Sequence, residues 1–217
     1  FVYLHRQTTN KSFNNTKKEK VMKKLMMIAA MMLMSVGAFA QEAGEMYIKP
    51  MVGATFSTIT DFDNSKFKFG LIGGAEFGYN ISDAFAVTAG ALYSMQGAGA
   101  KDSDNMKDAS TTLSYINIPI LANYYIFPGF AVKAGFQPGL MVSAKSKYTA
   151  NGHEHETTGT SGYKTFDISI PIGLSYEISD FVIDARYNFG LTKIYDHDAG
   201  SSKNSVIMLT VGYKIPL

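Results

Sequence analysis

Two short stretches concentrate the side chains best suited to hold a metal or move a proton: His153-Glu154-His155-Glu156 and Asp196-His197-Asp198. Imidazole flanked by carboxylates suits Zn²⁺ or Cu²⁺. Both stretches fall in polar segments between apolar patterns, however, where nothing in the spacing fixes a tetrahedral ligand set. They read as solvated loop polarity. Asp102, Asp104 and Asp108 offer oxygen ligands of the kind Ca²⁺ takes, but they lack the EF-hand spacing and its glycine. The fourth histidine, His5, sits in the N-terminal segment. Neither G-x-S-x-G nor H-E-x-x-H occurs, so no nucleophile comes with a base and an orienter in reach. The glycines follow strand alternation and form no phosphate-binding loop. With no Cys there is no thiolate site, no disulfide and no lipid anchor on a cysteine. The residues point to no enzyme, no cofactor and no metal centre.

A different set of charges has a clear spacing. Lys49, Lys68, Lys133, Arg186 and Lys214, with Glu76, Asp167, Glu177 and Asp184, all stand at the polar positions of segments that alternate apolar and polar residues. Such alternation marks a strand with two different faces. Ile207, Leu209, Val211, Tyr213, Ile215 and Leu217 alternate with Met208, Thr210, Gly212 and Lys214. Phe181, Ile183, Ala185, Tyr187, Phe189 and Leu191 alternate with Val182, Asp184, Arg186, Asn188 and Gly190. The same pattern recurs around Phe166–Tyr176, Phe130–Gln137, Tyr115–Tyr124, Phe85–Gln96 and Phe67–Tyr79, and more weakly around Tyr47–Ser57. That predicts eight strands of roughly 11–14 residues, longer than the usual ~5–6 and matched to the ~9–11 of a tilted membrane strand.

The connections predicted between these strands alternate in length. Short ones are Asn80–Ala84, Phe127–Gly129 and Ser179–Asp180; long polar ones are Thr58–Lys66, Gly97–Thr111, Lys145–Lys164 and Thr192–Asn204. Short turns at one end and long loops at the other are the asymmetry of outer-membrane barrels. Tyr79, Phe85, Tyr124, Phe127, Phe130, Tyr176 and Phe181 would form the aromatic girdle at the short-turn end. The fold expected is all-β: an eight-stranded antiparallel up-and-down transmembrane β-barrel, closed because an open edge in lipid would leave a row of unpaired backbone groups. Pro119 and Pro171 sit mid-strand, where local bulges are expected. The nine charges face a lumen that side chains just fill, so opposite charges there should pair. The inward glycines Gly70, Gly74, Gly90, Gly135, Gly173, Gly190 and Gly212 would give the long side chains room.

Ahead of the strands, Lys23 and Lys24 precede an apolar run from Leu25 to Phe39 that ends in Ala38-Phe39-Ala40. This is the pattern of a signal peptide cleaved after Ala40. Residues 1–21 read as an upstream leader, 22–40 as the signal peptide and 41–217 as the barrel. The formal charge of +2 arises in the first forty residues; 41–217 are net acidic, which gives no argument for nucleic acid.

Four stretches carry a family resemblance: Gly70-Leu71-Ile72-Gly73-Gly74-Ala75-Glu76; Ala91-Leu92-Tyr93-Ser94-Met95-Gln96-Gly97; Tyr115-Ile116-Asn117-Ile118-Pro119-Ile120-Leu121; and Asp184-Ala185-Arg186-Tyr187-Asn188-Phe189-Gly190-Leu191-Thr192. Together they resemble the outer membrane protein beta-barrel domain family, porin-like small barrels of the OmpA/OmpX kind from Gram-negative bacteria. The resemblance spans about residues 46–217. It implies residence in the outer membrane among lipid and lipopolysaccharide, and insertion by the barrel-assembly machinery through the C-terminal strand. Outer-membrane barrels commonly end in Phe, whereas this chain ends in Leu217. The expected role is structural or surface-interactive, exerted through the outer loops around a filled lumen. The alternatives are a small-solute porin or transporter and a periplasmic lipocalin-like barrel that binds a ligand within. In a membrane fraction the unheated protein should run at a different apparent mass in SDS gels from the boiled protein; a soluble protein with one heat-indifferent band would exclude the membrane barrel.

Overall fold

Apolar and polar residues that alternate along the chain become opposite faces of one closed sheet. The computed structural model describes residues 42–60, 65–100, 107–150, 153–195 and 202–217. The leader, the signal peptide with its cleavage point after Ala40, His5, the Asp196-His197-Asp198 stretch and the side chains of Asp102, Asp104 and Asp108 lie outside the described residues. The strands are β1 (Met46–Ile59), β2 (Ser65–Lys66), β3 (Lys68–Ser82), β4 (Phe85–Ala100), β5 (Lys107–Asn117), β6 (Ile120–Phe127), β7 (Phe130–Ala150), β8 (His153–Thr158), β9 (Phe166–Ile178), β10 (Phe181–Gly190), β11 (Asn204–Tyr213) and β12 (Ile215–Pro216). Brief interruptions divide single walls into β2/β3, β5/β6, β8/β9 and β11/β12, so the ring is eight-stranded. Every neighbour is antiparallel, and β1 pairs back with β11 and β12 to close the ring.

The outward face is apolar and bare: Val52 is 68% exposed and Leu71 58%, with Ile172, Leu174, Ile183 and Val211 about half exposed. Lys49, Glu76 and Arg186, on the inward face, are buried. A soluble ligand-binding barrel has the reverse polarity, so the lipocalin-like alternative falls. An apolar surface of this extent is a liability in water and is matched by hydrocarbon. Phe127 and Phe130 stack with centroids 4.8 Å apart beside one short turn, and Phe181 meets Tyr213 edge-on at 5.1 Å beside another. Both pairs belong to the aromatic end predicted from sequence, with Tyr213 an unforeseen member.

Two expectations are corrected. Pro119 and Pro171 cause no bulge. Leu92↔Asn117 and Ala89↔Ile120 keep one register across Pro119. Pro171 stays opposite Asn188 in an unbroken β9–β10 ladder, while the β7–β9 ladder opens between Ala134↔Ile172 and Gln137↔Ser169. A missing N–H removes a rung but adds no residue, so the register survives. A true shift occurs where Ser114↔Ser143 passes to Tyr115↔Met141, which leaves Val142 as an extra residue on β7. The second correction concerns the long connections. β4 runs to Ala100, β5 starts at Lys107, and β7 continues to Ala150 before β8 turns back along it. Much of the sequence read as loop at Gly97–Thr111 and Lys145–Lys164 is therefore paired strand, because polar Thr, Ser and Tyr residues support pairing once neighbouring strands supply a template.

Candidate functional site

Strand parity sends Lys49, Glu76, Lys133, Asp184 and Arg186 to one level of the lumen. Arg186 is the centre. Its Nη1 donates to Glu76 Oε1 at 2.5 Å, and its Nε and Nη2 donate to the two oxygens of Asp184 at 2.7 and 2.8 Å. Lys133 Nζ donates to Asp184 Oδ2 at 2.6 Å, and Lys49 Nζ lies 2.8 Å from Glu76 Oε2. The fork of a guanidinium is the group that can engage two carboxylates at once with directed bonds. Side chains in this chain of contacts are 5% exposed or less. Three glycines give it room. A Cβ at Gly90 would stand 2.7 Å from Glu76 Cγ, one at Gly173 2.9 Å from Arg186 Cγ, and one at Gly212 2.9 Å from Lys49 Cγ. The other four inward glycines face backbone carbonyls or uncharged side chains, so the space-making role holds only for these three.

Glu177 and Lys214 form a second group nearer the short turns. Lys214 Nζ donates to Glu177 Oε2 at 2.6 Å, Tyr125 donates its hydroxyl to Glu177 Oε1 at 2.8 Å, and the Lys214 ammonium sits 4.5 Å from the centre of the Tyr47 ring. The Tyr47 ring in turn lies on Gly78, where a Cβ would come within 2.1 Å of it.

The remaining two predicted members stand apart. Asp167 is buried and meets no cation among the described residues; Thr192 and Asn204, which flank the fourth outer connection, donate hydrogen bonds to it. Lys68 is half-buried at the outer mouth, with no ion pair among the described residues. The other seven lumen charges are gathered and paired in the inner half, away from both.

Sequence reasoning missed the apolar layers. Met51, Ile72, Leu92, Val206 and Met208 form one buried cluster inside the barrel. Ile59, Leu113, Tyr115, Met141, Ala144 and Ile194 form another. β1 alone shows the order, with Tyr47, Lys49, Met51 and Ile59 inward in succession from the short-turn end. Parity was the available signal, since Leu92 and Met208 stand at polar-face positions. Between the layers Gln96 and Asn117 both donate to Ser94 Oγ, at 2.8 and 2.7 Å.

Above the lipid belt, β7 and β8 make a hairpin. The outward apolar positions of β7 end at Val142, and all of β8 is exposed. Lys145 contacts Glu156 at 2.5 Å, and Lys147 contacts Glu156 at 2.8 Å and Glu154 at 3.4 Å. His155 stacks on Tyr148 at 5.1 Å. The His153–Glu156 stretch is thus strand rather than loop, and among the described residues no three His, Cys, Asp or Glu side chains converge as a ligand set.

The family model for the outer membrane protein beta-barrel domain matches residues 39–196. The chain belongs to that family. As a member of it, the protein resides in the outer membrane, among its lipids. No curated protein matches its sequence. Among solved structures the chain is similar to Ail, the attachment invasion locus protein of Yersinia pestis, with 18% identity, 80% of this chain and 99% of that one covered, and a TM-score of 0.46. It is also similar to Neisserial surface protein A, at 14% identity, 78% and 96% coverage and a TM-score of 0.45. A third is OprG from Pseudomonas aeruginosa, at 17% identity, 81% and 98% coverage and a TM-score of 0.42.

Two measurements probe this outer-membrane β-barrel domain. Arg186→Met leaves Glu76 and Asp184 buried without their shared cation and should lower unfolding stability by about 3–5 kcal/mol. Replacing all five charges of the central group with apolar residues of similar volume should cost far less, which urea titration in lipid vesicles would register. The hairpin gives the second. Hydrogen bonds from Lys145 and then Lys147 hold the Glu156 carboxyl below its ordinary range, and those to Glu156 and then Glu154 hold the Lys147 ammonium above its own. A depressed carboxyl contributes fully above its unfolded value and loses that contribution as pH falls through the folded one; a raised ammonium does the reverse. The hairpin should be tightest between the ordinary values, 4.5 and 10.5. Spin labels at Ser146 and Thr157 should report a broader distance distribution at acid pH than at neutral pH.

Proposed function

We propose that this protein is a non-conducting outer-membrane anchor that presents the β7–β8 hairpin and its neighbouring outer strands for interaction at the cell surface. One observation carries the reading: successive lumen levels, ionic and then apolar, are filled by side chains almost without exposure, from Lys49 and Arg186 to Leu92 and Leu113. An eight-stranded barrel leaves just enough width for such filling. A solute crossing it would have to displace a desolvated ion-pair chain and then an apolar layer. Work at the surface is the remaining use of the fold, and strands that continue past the lipid belt supply a rigid platform for it. The outer leaflet places lipopolysaccharide beside that platform as a standing neighbour. The C-terminal strand keeps Leu209, Val211, Tyr213, Ile215 and Leu217 on its outward face, the pattern through which the barrel-assembly machinery would receive it. No step of this role needs a nucleophile or a cofactor.

Planar-bilayer recording of the purified protein should show no stable single-channel steps, and replacing Leu92 and Met208 with Ala should introduce them. Stable conductance of the unaltered protein would favour the solute-porin reading. Shortening the hairpin across 145–158 should leave heat-modifiable assembly intact and abolish adhesion of expressing cells to host-matrix or envelope glycan surfaces.

A further inference from the structure

Pairing with β7 gives His153 and His155 a fixed spacing. Both are exposed residues of β8, which runs antiparallel to β7 in unbroken register from Lys145↔Thr158 to Ala150↔His153. A strand sends residues two apart to the same face, roughly 6–7 Å from one Cα to the next on that face. The two imidazoles therefore rise side by side. In an irregular loop the same pair of residues would have no set separation.

Register also decides which face they share. Ala144 is buried in the outer apolar cluster, and parity keeps Ser146 and Tyr148 on the same face of β7. Thr157 stands opposite Ser146 and His155 opposite Tyr148, so both histidines belong to this inward-turned face. Glu154 and Glu156 take the other face, where Lys145 and Lys147 hold them. The carboxylates of β8 are thus engaged away from the histidines. His155 lies nearly flat on the Tyr148 ring, with 5.1 Å between centroids and 17° between planes. Imidazole lone pairs lie in the plane of the ring, so a covered face leaves the ring nitrogens open to a ligand.

The donors select the ion. Imidazole suits Cu²⁺, Ni²⁺ and Zn²⁺, whereas Ca²⁺ and Mg²⁺ take oxygen. Cu²⁺ stands highest in the affinity order and accepts a tetragonal set of nitrogen and oxygen ligands. A catalytic or structural zinc needs three or four protein ligands, and the described residues bring together no such set. Two ligands hold an ion that can exchange.

We propose that His153 and His155 form a two-nitrogen surface site for an exchangeable Cu²⁺ ion, carried on the inward-turned face of the hairpin with water in its remaining positions. The site depends on the β8 strand and is the same whether or not the lumen conducts.

The test uses the full protein in nanodiscs of zwitterionic lipid, with Cu²⁺ as the probe. Calorimetric titration should show saturable binding, and the electron paramagnetic resonance spectrum at one equivalent should show coupling to two imidazole nitrogens. His153→Gln and His155→Gln should each weaken Cu²⁺ roughly a hundredfold, the scale of the gain from linking two donors. His197→Gln should leave the affinity unchanged. Thr157→His added to His153→Gln rebuilds a pair two residues apart with His155 and should restore binding. Heat-modifiable migration of each variant verifies that the loss is read on assembled barrel. Affinity unmoved by both glutamine variants of the pair, a spectrum with a single nitrogen, loss of the ion in His197→Gln, or no recovery with Thr157→His would each overturn the proposal.

Discussion

Everything in this protein follows from the need to pair each backbone N–H and C=O within hydrocarbon. Water is not available there as a partner, and an unpaired group costs several kcal/mol. The pairing of β1 with β11 and β12 meets that need, because it turns an open sheet into a ring. Once the ring exists, each strand has an inside and an outside, and a one-residue slip would exchange them. The register then dictates that Lys49, Glu76 and Arg186 share an interior with no bulk water, while Val52, Leu71 and Val211 meet lipid.

The ionic layer is a consequence of that enclosure. Removing charges from water is expensive, and only good geometry offsets the cost. Arg186 supplies it by binding Glu76 and Asp184 together, and each carboxylate then holds a lysine. Long side chains cannot converge on a narrow axis unless their neighbours across the strands are small, which accounts for Gly90, Gly173 and Gly212. Further out, apolar clusters share the filling with buried polar groups that bond one another, such as Ser94 with Gln96 and Asn117. The ion pairs are therefore concentrated toward the short turns, and mixed apolar and hydrogen-bonded packing fills the lumen below the outer mouth.

Beyond the lipid belt the constraint relaxes. Water can satisfy an edge, so β8 needs only one neighbour, and the strands that carry it are free to differ in length. Exposed ion pairs of the kind made by Lys145 and Lys147 with Glu154 and Glu156 are individually weak. Their worth is to hold the hairpin in one register.

The order of residues alone sets the alternation, and with it the all-β class, the eight walls and the outward apolar face, with the nine charges at the polar positions of the strands. Those features are local: a period of two along one strand fixes a side, and ring closure follows from the environment. Which charges meet depends on the folded ring. Asp184 and Glu76 are far apart in sequence, and the level each reaches depends on strand tilt and register summed around the ring, which no single strand records. For the same reason Lys68 and Asp167 could be placed inward but not seen to stand apart from the central group. The apolar layers escaped because their members occupy positions that looked merely polar-facing, and the hairpin escaped because its polar residues pair only when a neighbouring strand is already there.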